Sequence, residues 1–244
     1  MPELLKHIAP TMRTVAGACA EALWPTRCAV CDAPGAVLCD ECEASLDYLD
    51  LWRACPRCGA AFGRVQCTEC SPTHLAHLGR EDWPFDACAS ACVFDDAAGR
   101  IVRAFKDQGE QRLAAEIARI MARTLPADWP RCTLAYVPAS AAAWRRRGFD
   151  HAELIARHLA SELDCDATAL FERPESRDQR ALSRDQRIRN LQGRFKLRAG
   201  VQAPARVLLI DDVFTTGATL SDATDTLVAA GTEQVFCLTF ARVM

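Results

Sequence analysis

Eight cysteines in four C-x-x-C pairs crowd into residues 28–70 of this 244-residue chain: Cys28/Cys31, Cys39/Cys42, Cys55/Cys58 and Cys67/Cys70. A pair at this spacing turns two thiolates toward one point, and two pairs supply the four ligands of a tetrahedral zinc site. The segment has few large apolar side chains, so it cannot fold on a core alone, and bound metal would supply the missing free energy. Two zinc ions are therefore expected. Sequential grouping is the simplest assignment, and the spacing leaves a cross-braced one open. With every ligand a cysteine, neither site keeps a position for substrate, so both read as structural. Gly59 follows the third knuckle, where the turn needs a permissive residue. Disulfides would suit a secreted chain, and thiol redox chemistry would need one isolated reactive pair rather than four distributed ones. Cys88, Cys92, Cys132 and Cys237 fall in apolar stretches and read as core.

The rest of the composition is that of a soluble globular chain: half the residues are apolar, a quarter are charged, and the net charge is -3. Nothing in that total suggests a nucleic-acid binder. No run approaches the ~18 apolar residues of a membrane span. The start, MPELLKHIAPTMR, lacks the apolar run of a signal peptide, and a cytoplasmic location is expected. Residues 1–27 read as an amphipathic docking helix, 28–72 as the double zinc-ribbon module, 73–86 as a linker, and 87–244 as the main domain. His74 and His77 read as linker polars.

From residue 87 the pattern alternates. Strands are expected at 87–94, 132–139, 167–173, 206–211 and 234–241; helices at 97–125 (broken near Gly109), 150–163 and 220–231. Such alternation predicts an α/β domain with a largely parallel sheet flanked by helices. In such sheets ligands bind beyond the carboxyl ends of the strands.

One such end reads RVLLIDDVFTTGATLSDA (206–223). Asp211 and Asp212 close an apolar run, and a Thr-Thr-Gly-Ala-Thr turn leads into a helix. Unsatisfied N–H groups and the positive dipole end make a helix start an anion site. Gly217 allows close backbone approach, and Thr215, Thr216 and Thr219 add hydroxyl donors. The carboxylates suit hydroxyl groups or a hydrated cation. A ribose 5-phosphate satisfies both halves. The turn has neither the lysine of a P-loop nor the glycines of a dinucleotide fingerprint.

LLIDDVFTTGAT closely resembles the phosphoribosyl pyrophosphate (PRPP) loop of type I phosphoribosyltransferases. The resemblance implies that Asp211 and Asp212 hold the ribose hydroxyls and that Thr215, Thr216, Gly217, Ala218 and Thr219 wrap the 5-phosphate. Thr215 stands where hypoxanthine-guanine enzymes usually carry an aspartate, which argues against that subgroup.

Further segments resemble the ComF/GntX family, which carries a zinc module ahead of a phosphoribosyltransferase domain. QRALSRDQRIRNLQGRF matches its spaced pattern at Gln179, Leu182, Arg187, Asn190 and Phe195; RRRGFDHAELIA matches at Arg146 to Phe149, with Asp150 and His151 in place of the usual Asn and Gln. LAYVPAS places Pro138, Ala139 and Ser140 where the family binds pyrophosphate, and RAFKDQG supplies Lys106. Between Arg173 and Arg198 nine Lys/Arg face three Asp/Glu. A 1-pyrophosphate needs cations, Mg2+ with Lys or Arg. The candidates are Lys106, Arg145, Arg146, Arg147 and Arg187, with Arg147 and Arg187 joining Asp211 and Asp212 as catalytic candidates.

Two functions follow. One is an enzyme that transfers phosphoribose from PRPP to a nitrogen nucleophile and releases pyrophosphate, where stabilising the departing diphosphate matters most. The acceptor is not readable, and no His or Glu stands out as general base. The other, implied by the ComF resemblance, is a non-catalytic PRPP- and single-stranded-DNA-binding accessory of competence, working with a DNA-uptake machinery. Few aromatics interleave with the arginines, so the sequence gives base stacking little support.

Overall fold

The computed structural model describes residues 25–175 and 193–244. The body of the helix expected over 1–27, and Gln179, Leu182, Arg187 and Asn190 of the basic segment, lie outside the described residues. The chain divides into two compact units, Met1–Ser45 and Leu46–Met244.

The first unit holds Cys28, Cys31, Cys39 and Cys42. Its knuckle turns at Asp32, whose φ is 62°. The Cys28 N–H donates to the Ala33 carbonyl at 2.8 Å, and Arg27 pairs with Asp32 at 3.0 Å. Cys42 sits on a one-turn helix, α1 (Asp40–Ala44).

In the second unit Cys55, Cys58, Cys67 and Cys70 precede a short helix, α2 (Pro72–His77). Ser71 caps it by accepting the His74 N–H at 3.2 Å, and proline takes its first turn. Within 73–86, read from the sequence as a linker, Trp83 and Phe85 are buried.

Seven further elements carry the sheet and its first helices: β1 (Ala87–Val93), α3 (Asp96–Lys106), α4 (Leu113–Thr124), β2 (Thr133–Tyr136), α5 (Ala141–Arg147), α6 (His151–Glu162) and β3 (Ala167–Thr168). Three more complete the unit: β4 (Arg206–Phe214), α7 (Ala218–Ala229) and β5 (Gln234–Arg242). The five strands form one parallel sheet in the order β1-β5-β4-β2-β3. This is the α/β architecture expected, a parallel sheet flanked by helices.

Side chains alternate across a strand, and the core follows that alternation. Val207 and Leu209 of β4 and Val235 and Cys237 of β5 share one cluster with Leu220, Ala223 and Leu227 of α7. Cys55, Cys58, Trp83 and Phe85 belong to the same cluster. The second cysteine segment is thus part of one face of the sheet. Leu208 and Ile210 alternate to the other face, where α4 and α6 pack on the strands and on each other.

Three local differences from the sequence reading matter for the site. Strand β4 does not stop at the acid pair: Val213 and Phe214 still pair with Ala241 and Arg242 of β5. The expected strand over 167–173 is a strand only at Ala167–Thr168; beyond it Phe171 pairs antiparallel with Leu197. The arginine-rich stretch is a helix, α5, opened by the Ser140 side chain on the Ala143 N–H (3.3 Å) and closed by Gly148 at φ 78°.

Candidate functional site

Asp211 and Asp212 are both buried, inside β4 and three and two residues short of its end. They meet two basic side chains delivered by other elements. Lys106, the last residue of α3, forms an ion pair with Asp212 Oδ2. His151, the first residue of α6, brings Nε2 to 3.6 Å from Asp212 Oδ1 and 3.9 Å from Asp211 Oδ1. Arg147 Nη1 lies 3.4 Å from His151 Nδ1. A guanidinium only donates, so His151 Nδ1 is the acceptor side of that contact while Nε2 faces the two acids. Arg147 Nη2 also lies 3.8 Å from Asp107 Oδ1.

This surrounding splits the two acids. Burial, then the neighbouring Asp212 charge, raises the Asp211 carboxyl well above the usual aspartate range. Burial opposes ionisation of Asp212 too, but Lys106 and then His151 outweigh it and hold Asp212 low. One site therefore contains an acceptor-only carboxylate and, beside it, a carboxyl that keeps its proton more readily. Such a pair can both accept and donate hydrogen bonds to hydroxyl groups.

The turn after β4 is pinched at Gly217, with φ 71°. A Cβ there would lie 2.6 Å from the Phe214 ring and 2.7 Å from Trp83, so both the conformation and the space demand glycine. Thr215 and Thr216 are exposed on its rim, while Ala218 and Thr219 enter the first turn of α7 half-buried. The turn thus presents hydroxyls and the start of a twelve-residue helix beside the acid pair, an arrangement suited to an anion.

Pro138, Ala139 and Ser140 leave the carboxyl end of β2. Asp150 holds them: its Oδ2 accepts the Ala139 N–H at 2.8 Å and Arg173 Nη1 at 2.6 Å, and Arg173 Nη1 also donates to the Ala139 carbonyl at 2.9 Å. The Ala139 N–H is committed within the fold. Asp150 also caps α6, its Oδ1 accepting the Glu153 N–H at 3.4 Å. Arg145 and Arg146 are exposed, and Arg187 lies outside the described residues.

Lys106, Asp211, Asp212 and Arg147 are thus gathered, Arg147 through His151. The sequence reading missed His151, Asp150, Arg173 and Asp222. Asp222 of α7 accepts the N–H groups of Gly193 and Arg194 at 2.9 and 3.1 Å, anchoring the far end of the basic segment. The available signal was the substitution at 150–151 itself, where two titratable residues replace amides.

The cysteines group sequentially: in each set of four, the sulfurs all lie within 4.8 Å of one another. Cys31 and Cys39 sulfurs are 3.7 Å apart, Cys55 and Cys70 3.7 Å, Cys58 and Cys67 3.5 Å. Four thiolates at Zn–S of about 2.3 Å around a tetrahedron would be about 3.8 Å apart. Both donor sets fit a structural zinc ion. Gly59, at φ 75°, is held against the Cys88 carbonyl, which a Cβ would meet at 2.6 Å. His151, Asp211 and Asp212 form a third group close enough to share a cation.

A parallel sheet with two buried acids before a glycine-pinched turn is thus joined, in one chain, to two four-cysteine clusters that fit zinc. No family model matches the chain. DNA utilization protein YhgH of Salmonella typhimurium strain LT2 is 29% identical over 196 residues, 75% of this chain and 82% of that protein. Competence protein ComFC of Streptococcus pneumoniae strain R6 is 24% identical over 206 residues, 84% of this chain and 87% of that protein. Orotate phosphoribosyltransferase from Aeropyrum pernix aligns over 62% of this chain and 66% of that chain, with TM-score 0.33 and 19% identity. The chain is similar to these DNA-utilization and competence proteins along most of its length. Among the described residues, no helix is long and apolar enough to cross a membrane.

Proposed function

We propose that the chain binds PRPP, or a related ribose 5-phosphate, at the carboxyl end of β4. The 5-phosphate occupies the turn Thr215–Thr219, the ribose hydroxyls meet Asp211 and Asp212, and the diphosphate lies toward Lys106, Arg147 and the Pro138–Ser140 segment. The observation that carries this reading is the buried acid pair, met by Lys106 and His151, set directly before the glycine-pinched turn. Asp212 as acceptor and Asp211 as the more readily protonated partner suit a vicinal diol. Mg2+ would enter with the diphosphate and neutralise part of its charge; the His151, Asp211 and Asp212 group has oxygen and nitrogen donors for such an ion. The thiolate-rich modules suit a reducing cytoplasm.

In the catalytic form of this reading, a nitrogen acceptor attacks the ribose C1 as the C1–oxygen bond breaks, and the bonding electron pair leaves with pyrophosphate. Arg147 and Lys106 would stabilise the departing charge. Calorimetric titration of the zinc-loaded protein with PRPP and Mg2+, followed by a pyrophosphate-release assay with pooled nucleobases, tests it. Binding with release identifies an enzyme; binding without release identifies an accessory protein; no binding overturns the assignment of the turn.

A second reading, single-stranded DNA handling, is favoured by one surface of the second cysteine segment. Trp52 is 80% exposed and Phe62 71%. Arg64 lies 5.8 Å from the Trp52 ring and Arg53 5.8 Å from the Phe62 ring. The Arg64 N–H donates to the Arg53 carbonyl at 3.0 Å, which keeps the two pairs adjacent. Phe62 is held at φ 58°, unusual for a bulky residue. Arg53 also meets Asp50 at 3.8 Å, which moderates its charge. Exposed rings with arginines beside them are the parts of a base-stacking platform. The relatives' names, DNA utilization protein and Competence protein, agree with this role. A gel shift with single-stranded DNA at two salt concentrations tests it.

A further inference from the structure

Two lines of contact run from the second cysteine cluster to the turn at Gly217. The first passes through Arg242, which is completely buried at the end of β5. Its Nη1 donates to the Cys58 carbonyl at 2.7 Å, and its Nη2 pairs with Glu69, which lies between Cys67 and Cys70. The guanidinium covers the ring of Phe214 at 3.9 Å. Phe214 is the last residue of β4, immediately before Thr215. The second line begins at Arg57, inside the Cys55–Cys58 knuckle. It donates to the Trp83 carbonyl at 2.6 Å and the Asp86 carbonyl at 2.9 Å. Trp83 stacks on Phe85 at 5.3 Å and meets Phe214 edge-on at 5.8 Å.

Both lines end on one residue. Phe214 and Trp83 are the two rings that a Cβ on Gly217 would strike. They form the floor on which the turn rests. A buried arginine is also a poor choice for adhesion alone, since an apolar side chain of similar size is often as stabilising as a buried ion pair. What the guanidinium adds is direction: planar donors aimed at both cysteine loops, and a flat face against Phe214.

We infer that the second cysteine cluster, when it holds its metal, sets the shape of the 215–219 turn through Arg242–Phe214 and Arg57–Trp83, so that metal occupancy there governs the turn's affinity for a phosphate group. The inference rests on the reading of that turn as the 5-phosphate site. Metal bound to Cys55, Cys58, Cys67 and Cys70 would fix the Cys58 carbonyl and Glu69, and these fix Arg242. Without it the guanidinium loses both anchors, Phe214 loses the cation on its face, and the floor under Gly217 is free to shift. Arg242 and Trp83 are positioning residues in this scheme.

The test is calorimetric titration of the full chain with PRPP and Mg2+, run well below each variant's melting temperature, with zinc content measured on the same samples. Arg242→Lys keeps the charge but loses the fork, and Phe214→Leu keeps apolar volume but loses the ring face. Both are expected to retain two zinc ions and to bind PRPP at least tenfold more weakly. Cys31→Ser, in the other compact unit, is expected to lose one zinc and keep PRPP affinity within twofold. Wild-type affinity in zinc-replete Arg242→Lys and Phe214→Leu would overturn the coupling alone. Equal weakening in Cys31→Ser and the two positioning variants would overturn its specificity for the second cluster. Failure of the wild type to bind PRPP would overturn the reading of the turn, and the coupling with it. A separate optical readout comes from the difference in emission between wild type and Trp83→Phe: a zinc chelator should shift that difference, and an unshifted difference counts against the coupling.

Discussion

The two cysteine clusters are near copies in sequence and differ in structural use. One reads C-x2-C-x7-C-x2-C and the other C-x2-C-x8-C-x2-C, and both bring four sulfurs together. The first lies in the compact unit Met1–Ser45, where Cys31 is exposed. The second lies in the unit of the sheet. Cys55 and Cys58 are buried in one core with α7 and the strands, and Arg242 and Arg57 tie their backbone to the candidate ligand site. The same ligand motif can close a small module or serve as part of another domain's core. Its neighbours decide which.

Removing a ligand from each cluster is the harshest trial of that comparison. Cys58→Ser is expected to halve the zinc content and to destabilise the sheet unit by more than about 4 kcal/mol, because metal and core are lost together. Cys31→Ser should halve the zinc with little change in the unfolding of the sheet unit, followed by denaturant titration. Similar destabilisation in both would erase the distinction.

Asp212→Asn asks how strongly the ligand end depends on its ion pair. Breaking a buried pair costs about 3–5 kcal/mol; Lys106 keeps some solvent access, so about 2 kcal/mol is expected. PRPP binding should disappear, and unchanged affinity would refute the site. Gly217→Ala presses on the coupling from the opposite direction. It should cost about 1–3 kcal/mol through strain and overpacking against Phe214 and Trp83. It should also make the second zinc easier to extract by a chelator, with the first zinc's extraction rate unchanged.

Trp52→Ala is a milder change, on the exposed surface of the second segment. Single-stranded DNA affinity should fall by about 1 kcal/mol, at the low end for a stacked base, while zinc content and PRPP binding stay at wild-type levels. The smallest effect concerns pH. Asp211's folded pKa is raised, so its contribution to stability is full below its unfolded pKa and is lost as pH rises through the folded value. Asp212 is depressed, so its contribution is present above the unfolded value and is lost as pH falls through the folded one. From about pH 4 toward neutrality, Asp211→Asn should therefore flatten a downward trend in unfolding free energy; an unchanged slope would show that the split is not there.

Much of this protein was legible in the linear chain. Four C-x-x-C pairs specify local ligand geometry, because two thiolates three residues apart share a turn. The strand over Arg206–Asp211, the glycine turn and the following helix are local signals too, since hydrophobic period and turn chemistry act over a few residues. The acid pair and the glycine turn could therefore be named from residues 206–223. Other features depended on tertiary contacts. Lys106, Arg147 and His151 come from three helix ends; Lys106 and His151 meet the acid pair, and Arg147 meets His151, only because the parallel sheet collects those ends at one edge. Asp150 and His151 looked like departures from an amide pair. In the fold one clamps Ala139 and the other faces the acids. The continuation of β4 to Phe214 was hidden because its partner, β5, supplies the pairing. The opposite fates of the two cysteine clusters were hidden for the same reason. Cysteine spacing determines how a metal could be held, whereas burial, charge pairing and the placement of Arg242 depend on residues up to 184 positions away in the chain, which only the closed core brings into contact.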